Sequence, residues 1–377
     1  MFLYLIKEVG IIIKVLYLLN HAGKAGTERY VYTLIEKLNN KKIKAYFAYN
    51  EEGLLVERLK NIGVETFVVK MRNPFDIKAA FELSRLCKKL GIELIHTQFL
   101  RENYIAILSR IFNPRVKVMY TNHFVMANNK TQKLFNRIMT QFDSSIIAVC
   151  NIGKEVLISN GNKASIIDVI YNGVDVTYWK EPIKSTLRKE FGIGEDEFVI
   201  LCASRFAHDK GHKYLVDSIK LLKEMTNRKF KCVLAGDGPL LDDIKKQTAE
   251  LELQDDIIFI GFRSDMKNLY AGSDLYVNSS EHEALSFLII EALASGLPVV
   301  ATDMGGNSDI INPITNCGLL VEYNNPESMA KGILKVMEDE NLYRKFKENA
   351  YKAVDEFFNL DKVVDKTYNL YKKSLQG

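Results

Sequence analysis

The hydrophobic pattern of this chain switches repeatedly between two periods. Short apolar runs such as 14–19 and 198–203 are typical of buried strands, and amphipathic segments with apolar residues at helical spacing follow them. Such alternation predicts an α/β protein with parallel sheets and crossover helices. The predicted strands are 14–19, 45–49, 65–69, 93–96, 116–120, 146–149, 166–171, 198–203, 231–235, 257–260, 275–277 and 319–321. The predicted helices include 54–61, 77–90, 103–112, 130–142, 266–271, 326–337, 342–358 and 360–371.

The stretch 279–311 holds the densest set of chemical signals. It predicts a turn, a helix, a buried strand and a Gly-rich turn, and it contains Glu283 and Glu291 with seven residues between them. On a helix this spacing places both carboxylates on about the same face, with Glu283 at or just before the first turn. Backbone N–H groups at a helix start attract phosphate, and carboxylates accept hydrogen bonds from hydroxyls. This combination is typical of a site for a phosphorylated sugar, because the apolar residues between the two argue against a solvated surface.

Other polar residues follow predicted strands, where parallel sheets bind ligands. Arg205 and Lys210 lie five positions apart after strand 198–203, as suits a diphosphate, although surface cations are the commoner fate of such a pair. Gly23 and Gly26 follow the first strand, where a plain tight turn fits the spacing equally well. His123 follows strand 116–120, and a lone histidine is more often structural than catalytic. Further such positions are His96, which we interpret as a supporting residue, and Gly238.

At 283–300 the chain resembles the retaining glycosyltransferases of family 4, which use nucleotide-sugar donors. The family motif is matched by Glu283, Glu291 and the following Ala292–Val300 segment, with the glycine pair Gly305-Gly306 downstream. Asn172-Gly173-Val174-Asp175 also matches, at the point where the family's first domain meets the second. The chain departs from the family in having Asp309 where Glu is usual and Ala284-Leu285-Ser286 where Gly-Phe-Gly or Gly-Leu-Pro is commoner. These departures concern how the donor sugar is held.

The resemblance implies a GT-B fold: two Rossmann-like domains facing across a cleft, with a C-terminal helix crossing back to the first. The expected domains are an acceptor-binding domain at 1–176, a nucleotide-sugar-binding domain at 177–357 and a returning helix at 358–377, with 179–189 as a linker. The implied reaction moves a sugar from a nucleotide diphosphate sugar, by family frequency a UDP-sugar, to a hydroxyl acceptor. The anomeric configuration is retained by front-face attack, with no covalent nucleophile assigned.

The resemblance also implies roles for individual residues. Catalytic contributions are expected from His123 on the acceptor side, from Glu283, and from Arg205 and Lys210, which hold the diphosphate as it leaves. Glu291 is expected to bind the ribose hydroxyls. The donor-binding set comprises Gly23, Gly26, Arg205, Lys210, Gly238, Phe262, Arg263, Glu283, Ala284, Leu285, Ser286 and Glu291. No metal or other cofactor is expected, because cations and helix N-termini meet the diphosphate charge and the sequence contains no Asp-x-Asp.

Composition narrows the setting. A net charge of +4 over 377 residues gives no argument for nucleic acid. Five widely spaced cysteines without metal spacing favour reduced thiols in the cytoplasm. No apolar run reaches the ~20 residues that span a bilayer, and the charges within the first 19 residues argue against a signal peptide. Residues 1–13 are surplus to the fold, as a short extra strand, a membrane-facing turn or the product of an upstream start codon.

The segment 101–141 is strongly basic. It contains seven Lys and Arg residues against one acid, Glu102, and its part 130–142 has apolar residues at helical spacing. We favour an ordinary core helix with a solvated face. The alternative is a surface that meets anionic lipid or a phosphorylated acceptor. A lipid-linked saccharide acceptor and a peripheral position on the inner membrane surface follow from that alternative, in cell-surface polysaccharide or glycolipid assembly. No oligomeric state is predicted.

Two other classes remain open at this stage. A nucleotide-sugar epimerase shares the two-domain architecture but would need an acid/base pair at the anomeric carbon. A catalytically degenerate nucleotide-sugar-binding protein would keep the glycine turns but need not keep Arg205, Lys210, Glu283 and Glu291 together. The missing dinucleotide fingerprint excludes a dehydrogenase.

Overall fold

The structure is a computed structural model that describes residues 12–23, 26–39 and 42–376. The extra strand or turn predicted within 1–13 falls almost entirely outside the described residues; of that segment, Ile13 opens the first strand. The chain divides into two compact units. Unit 1 contains the residues up to Ile170 and those from Val363 onward, and unit 2 is Tyr171–Lys362.

The described part of unit 1 is built on a seven-stranded parallel sheet with the order β3-β2-β1-β4-β5-β6-β7. The inner strand β1 has a run of fully buried apolar residues from Val15 to Leu19, as expected for a strand covered on both faces. The strands are β1 (Ile13–His21), β2 (Ile43–Glu51), β3 (Glu65–Val68), β4 (Leu94–Thr97), β5 (Lys117–Asn122), β6 (Ser145–Ala148) and β7 (Ile167–Val169). The helices between them are α1 (Gly26–Leu38), α2 (Leu54–Asn61), α3 (Ile77–Leu90), α4 (Leu100–Ser109), α5 (Lys130–Met139) and α6 (Asn151–Ser159).

Unit 2, all of whose residues are described, contains a six-stranded parallel sheet with the order β10-β9-β8-β11-β12-β13. In both sheets the order reverses beside the first strand, and there the strand ends form a crevice. The strands are β8 (Phe198–Ala203), β9 (Phe230–Ala235), β10 (Ile257–Gly261), β11 (Leu275–Asn278), β12 (Val299–Thr302) and β13 (Gly318–Val321). The helices are α7 (Val176–Lys180), α8 (Leu187–Phe191), α9 (His212–Met225), α10 (Leu241–Glu250), α11 (Met266–Ala271), α12 (Phe287–Ala294), α13 (Asn307–Ile310), α14 (Pro326–Glu338) and α15 (Glu340–Phe357).

The last helix, α16 (Leu360–Gln376), leaves unit 2 and packs into unit 1. Its Tyr371 hydroxyl lies 2.9 Å from the Tyr17 hydroxyl of β1 and 2.7 Å from His96 Nδ1 of β4. Ser374 Oγ lies 2.8 Å from Ser145 Oγ of β6. The predicted fold, two Rossmann-like domains with a terminal helix that returns to the first, is therefore confirmed.

Two local predictions differ from the structure. The expected linker 179–189 contains the end of α7 and the start of α8, because Asp175 caps α7 with its side chain and Leu187 and Trp179 are buried. Residues 130–139 of the predicted 130–142 form a helix, but of its apolar side chains only Met139 is in the core, and Leu134, Phe135 and Ile138 are exposed. Among the described helices, none is long and apolar enough to cross a membrane.

Candidate active site

The crevice of unit 2 lies where β8 and β11 pair side by side. The segment 204–211 follows β8, and the segment 279–286 follows β11. Two hydrogen bonds tie these segments together: Ser279 Oγ donates to the Lys210 carbonyl at 2.8 Å, and the Glu281 amide donates to the Asp209 carbonyl at 2.8 Å. The two stretches that the sequence selects therefore form one structural element, although about 70 residues separate them along the chain.

Two glycines let neighbouring loops approach the segment 279–286 closely, one just before α9 and one after β12. Gly211 has a φ of +66°, and a Cβ there would overlap the Ser279 carbonyl oxygen. Gly305 has a φ of +56°, and a Cβ there would overlap the Glu283 carbonyl oxygen. Any other residue would be strained at these angles and would push its own loop away from the segment 279–286.

Lys210 and Glu283 form the central ion pair of the crevice. Lys210 Nζ lies 2.9 Å from Glu283 Oε1, and Ser280 Oγ donates to the same oxygen at 2.9 Å. Both charged side chains are mostly buried, at 19% and 17% exposure, so solvent screens this pair less than a surface pair. The ammonium group is a compact cation with three donors, which it can share with a phosphate oxygen.

The second cation of the predicted pair is more open. Arg205 is 69% exposed, and its Nη2 lies 3.7 Å from Asp209 Oδ1, while Lys210 Nζ lies 3.5 Å from Asp209 Oδ2. Asp209 therefore lies between both cations. An exposed guanidinium is available to a ligand at little cost, because it does not have to leave a buried partner.

The start of α9 adds partial positive charge beside this cluster. Gly211 occupies the N-cap position, and within the described residues no side chain caps this helix. The first N–H groups of a 14-residue helix therefore face the same edge as Lys210. His212, its first residue, stacks on Phe206 with ring centroids 4.1 Å apart and contacts Ser204 Oγ at 3.1 Å. Burial lowers the His212 pKa to about 4, so its imidazole is neutral at pH 7.

The prediction that Glu283 and Glu291 share a helix face is wrong. The helix α12 begins at Phe287 with Ser286 as its N-cap, so Glu283 lies in the preceding loop. Glu291 lies inside α12 and is only 1% exposed. The Ser286 side chain caps the first turn of α12, and the Gly306 amide donates to the Glu283 carbonyl at 3.1 Å, which holds Glu283 in the loop.

The residues between Glu283 and α12 are well anchored. Leu285 and Ser286 are buried, and Ala284 is half-buried. The Leu285 carbonyl accepts a hydrogen bond from Asn172 Nδ2 at 3.1 Å. Asn172 belongs to the turn that precedes α7, so this turn supports the sugar-binding segment predicted from sequence.

The remaining predicted residues of unit 2 lie on neighbouring loops. Gly238 has a φ of +153°, and a Cβ there would overlap backbone atoms of Phe206 in the loop after β8. Phe262, just after β10, is 68% exposed. Arg263 contacts two carboxylates, at 2.6 Å from Glu190 Oε1 and 2.7 Å from Asp265 Oδ2. These pairs engage its guanidinium in positioning the loop itself, so the structure favours a supporting role for Arg263.

In unit 1 the predicted glycines lie after β1. The Gly23 amide donates to Glu28 Oε1 of α1 at 3.1 Å, and Gly26 is the first residue of α1. The intervening residues 24 and 25 fall outside the described ranges. The Gly23 turn therefore has a structural partner of its own in this conformation.

His123 directly follows β5 and is half-buried. Its Nε2 lies 2.9 Å from Gln98 Oε1, and its ring packs edge-on against Tyr30 at 5.0 Å. Desolvation lowers the His123 pKa to about 3, which keeps the ring neutral at pH 7. The Gln98 oxygen accepts, so Nε2 of the neutral ring carries the proton and Nδ1 is left as a hydrogen-bond acceptor.

His96 proves to be a core residue. It is fully buried, and its two nitrogens contact the Tyr371 hydroxyl and Thr121 Oγ1, both at 2.7 Å. Its polar atoms are thus occupied in joining β4, β5 and α16. Burial lowers its pKa to about 3, as expected for a neutral structural histidine.

Sequence reasoning missed the residues that hold these groups in place. Ser280 and Asp209 contact Glu283 and Lys210, and Gln98 contacts His123. Ser280 and Asp209 lie inside the stretches that the sequence selects, and Gln98 lies two residues after His96, but a side chain that orients another one has no distinctive spacing. Among the described residues no group of three or more His, Cys, Asp or Glu side chains is arranged to hold a metal ion.

The fold and this crevice define a class of protein: two Rossmann-like units, the second with cations and an uncapped helix N-terminus at its strand ends. Two family models match, Glycosyltransferase Family 4 over residues 25–178 and Glycosyl transferases group 1 over residues 183–353. The two matches lie end to end and together cover most of the chain.

The chain is also similar to individual glycosyltransferases. The chain is 27% identical over 365 residues to the UDP-Gal:alpha-D-GlcNAc-diphosphoundecaprenol alpha-1,3-galactosyltransferase of Escherichia coli, covering 92% of this chain and 93% of the relative. It is 25% identical over 318 residues to the N-acetyl-alpha-D-glucosaminyl L-malate synthase of Bacillus anthracis, covering 82% of each. A glycosyltransferase structure from Rickettsia africae superposes with a TM-score of 0.86 at 25% identity, over 98% of this chain and 100% of that one. The chain therefore belongs to the family 4 glycosyltransferases with the GT-B fold, and it is a glycosyltransferase.

Proposed function

We propose that this enzyme transfers a sugar from a nucleotide diphosphate sugar, with UDP as the favoured nucleotide, to a hydroxyl acceptor with retention of configuration. The Lys210–Glu283 pair beside the uncapped start of α9 carries the proposal, because it combines a buried cation, a buried carboxylate and free helix amides at one strand edge. The cation and the helix amides can bind phosphate oxygens, and the carboxylate can accept hydrogen bonds from sugar hydroxyls.

The roles follow from the charge and accessibility of each group. Lys210 and Arg205 hold the diphosphate and stabilise the charge that develops on it as the bond to the sugar breaks. Glu283 and the backbone of 284–286 hold the sugar, and Glu291 binds the ribose hydroxyls. Phe262 lies beside the base, with Arg263 supporting its loop. Gly23, Gly26 and Gly238 let backbone approach the donor.

Retention without a covalent intermediate is consistent with the surroundings of Glu283. Retaining glycosidases use two carboxyl groups ~5 Å apart, one of them as nucleophile. Here Lys210 and Ser280 both bind Glu283 Oε1, which favours a fixed hydrogen-bond acceptor over a nucleophile. We therefore keep the front-face mechanism, in which the leaving phosphate assists the incoming hydroxyl.

For the acceptor we propose a lipid-linked saccharide. The Escherichia coli relative acts, by its name, on a sugar diphosphate carried by undecaprenol, and it matches over nearly the whole chain. The enzyme would then work at the cytoplasmic face of a membrane, where its five cysteines, all buried and in no disulfide among the described residues, stay reduced. His123 is proposed to act on the acceptor side of the reaction.

A thermal-shift panel tests the donor site first. The protein is heated with UDP, GDP, ADP or CDP, each with and without EDTA, because a ligand that binds the folded state raises the melting temperature. We expect a strong shift with UDP that EDTA does not change. Lys210→Ala should lose that shift, whereas the control Lys213→Ala, on the exposed side of the same helix start, should keep it.

The reaction itself is tested by product analysis. Incubation with a UDP-sugar and a polyprenyl-diphosphate saccharide should give UDP and an α-linked product whose anomeric configuration matches the donor. An epimerised free sugar would indicate an epimerase instead. Nucleotide binding without turnover on any acceptor would indicate a binding protein, and no shift with any nucleotide would refute the donor site.

A further inference from the structure

Helix α5 is packed the reverse way from an ordinary surface helix. Its buried side chains are Asn136 and Met139, and Asn136 donates through Nδ2 to the Asn160 carbonyl at 2.9 Å. Its other large apolar side chains face outward. Their exposed fractions are Leu134 59%, Phe135 38%, Ile138 52% and, just past the helix end, Phe142 47%. A polar anchor inside and an apolar stripe outside indicate that something other than the protein core covers this stripe.

The apolar stripe continues beyond the helix. The ring of Phe75, itself 42% exposed, packs 5.1 Å from the ring of Phe135. In the segment that leads into α5, Phe124 and Met126 are 55% and 65% exposed. The surface thus combines several large apolar residues on neighbouring segments of unit 1, whereas scattered single ones would need no explanation.

The charged side chains of α5 itself have one sign. Lys130 and Arg137 are exposed and Lys133 is half-buried, all on one flank of the apolar stripe. The one acid in residues 101–141, Glu102, is fully buried and accepts a hydrogen bond from the Asn20 amide. Asp76, next to Phe75, caps α3 through Ala79 N at 3.0 Å. An apolar stripe with a basic flank is the pattern of helices that lie in a membrane interface.

We propose that the surface formed by Phe124, Met126, Lys130, Leu134, Arg137, Ile138 and Phe142 docks this enzyme on an anionic lipid bilayer. The apolar side chains enter the headgroup region, and the basic flank contacts lipid phosphates. This docking rests on the proposed function in one respect: a lipid-linked acceptor is what the docked enzyme would meet at the membrane.

A second copy of the chain fits this surface poorly. In a two-fold dimer the same patch meets itself, so Lys130 and Arg137 of one copy would face the same basic flank of the other. No exposed carboxylate lies between residues 101 and 141 to balance them. A negatively charged bilayer supplies the missing charge and a shape that tolerates an uneven stripe.

Vesicle sedimentation of the full chain tests the docking. The vesicles are phosphatidylcholine alone, or phosphatidylcholine with 30 mol% phosphatidylglycerol as an anionic lipid. We expect binding to the anionic vesicles only, falling as salt rises. Lys130→Gln/Arg137→Gln should weaken that binding roughly 30-fold, at about fivefold for each basic residue near the surface. Leu134→Gln/Ile138→Gln should weaken it at least tenfold, because exposed apolar area no longer leaves water.

The control variants keep the same chemistry elsewhere. Ile314→Gln removes an apolar side chain that is 83% exposed in unit 2, and Lys352→Gln removes an exposed lysine there; both should bind vesicles within twofold of the wild type. Equal binding by the α5 variants would overturn the proposal. Wild-type protein that binds neither kind of vesicle would also overturn it. A third contrary result would be a dimer in sedimentation velocity that Leu134→Gln/Ile138→Gln dissociates while vesicle binding persists.

The same proteins separate this inference from the proposed function. Each variant is also tested for its thermal shift with UDP, which the α5 substitutions should leave unchanged. A protein that binds UDP but no vesicle overturns the docking and leaves the donor site standing. A protein that binds anionic vesicles but no nucleotide overturns the donor site and leaves the docking standing.

Discussion

Gly211 and Gly192 form a matched pair that isolates the contact between the two loops of the crevice. Both lie in unit 2 in the left-handed region, each with a φ of +66°. A Cβ at Gly192 would meet nothing within 4 Å, whereas a Cβ at Gly211 would overlap the Ser279 carbonyl oxygen. Replacing each by alanine therefore adds the same backbone strain, and only Gly211→Ala forces the loop that carries Lys210 away from the loop that carries Glu283.

The two substitutions should differ in how much they destabilise the protein and weaken ligand binding. An alanine in the left-handed region costs about 1–2 kcal/mol, which is the whole expected effect for Gly192→Ala. Gly211→Ala adds the cost of an overpacked contact, about 1–3 kcal/mol. Its larger effect should be on ligand binding, because a displaced Lys210 loses a charge-assisted hydrogen bond of about 1.5–3 kcal/mol, or roughly 10- to 150-fold in affinity.

The assay is a UDP titration followed by isothermal calorimetry at 25 °C, with melting temperatures of the unliganded proteins measured in parallel. Gly192→Ala should melt slightly lower than the wild type and bind UDP equally well. Gly211→Ala should melt lower still and bind UDP at least tenfold more weakly. If the two variants matched each other in melting temperature and in affinity, the contact between the loops would not position the site.

The remaining predictions concern single groups. His123→Ala should leave the UDP affinity within twofold and lower the rate of transfer at least 100-fold, and equal losses in both would contradict an acceptor-side role. Glu291→Gln should remove most of the preference for UDP over 2′-deoxy-UDP, measured by competition; an unchanged preference would mean that this buried carboxylate is structural. Burial raises the Asp143 pKa to about 8, because the folded protein favours the protonated carboxyl. The free energy of unfolding that the protonated Asp143 contributes is therefore full below pH ~4 and is lost as the pH rises through 8. Asp143→Asn should therefore gain stability relative to the wild type between pH 5 and pH 8, by up to about 1.4 kcal/mol per pH unit. Parallel melting curves of the two proteins over that range would refute this assignment.

Much of the architecture can be read from the chain because its determinants are local. The apolar runs of β8 and β11 and the helical spacing of α3 and α14 depend on neighbouring residues, so the predicted bounds lie within a few residues of those observed. The predictions failed where a distant residue decides. Helix α12 begins four residues after Glu283, with Ser286 as its cap, and Glu283 itself is held in the loop by the Gly306 amide, which follows it by more than 20 positions.

For the candidate site, too, local features could be predicted from the sequence and contacts between distant residues could not. The sequence by itself determined which residue types are present, and it selected Arg205, Lys210, Glu283 and Glu291 through their spacing and a family motif. Only the tertiary structure decided that Lys210 bonds to Glu283, that Arg263 pairs with two carboxylates, and that the apolar stripe of α5 faces outward. Periodicity records that a helix has an apolar face, but which way that face points depends on what the rest of the fold packs against it.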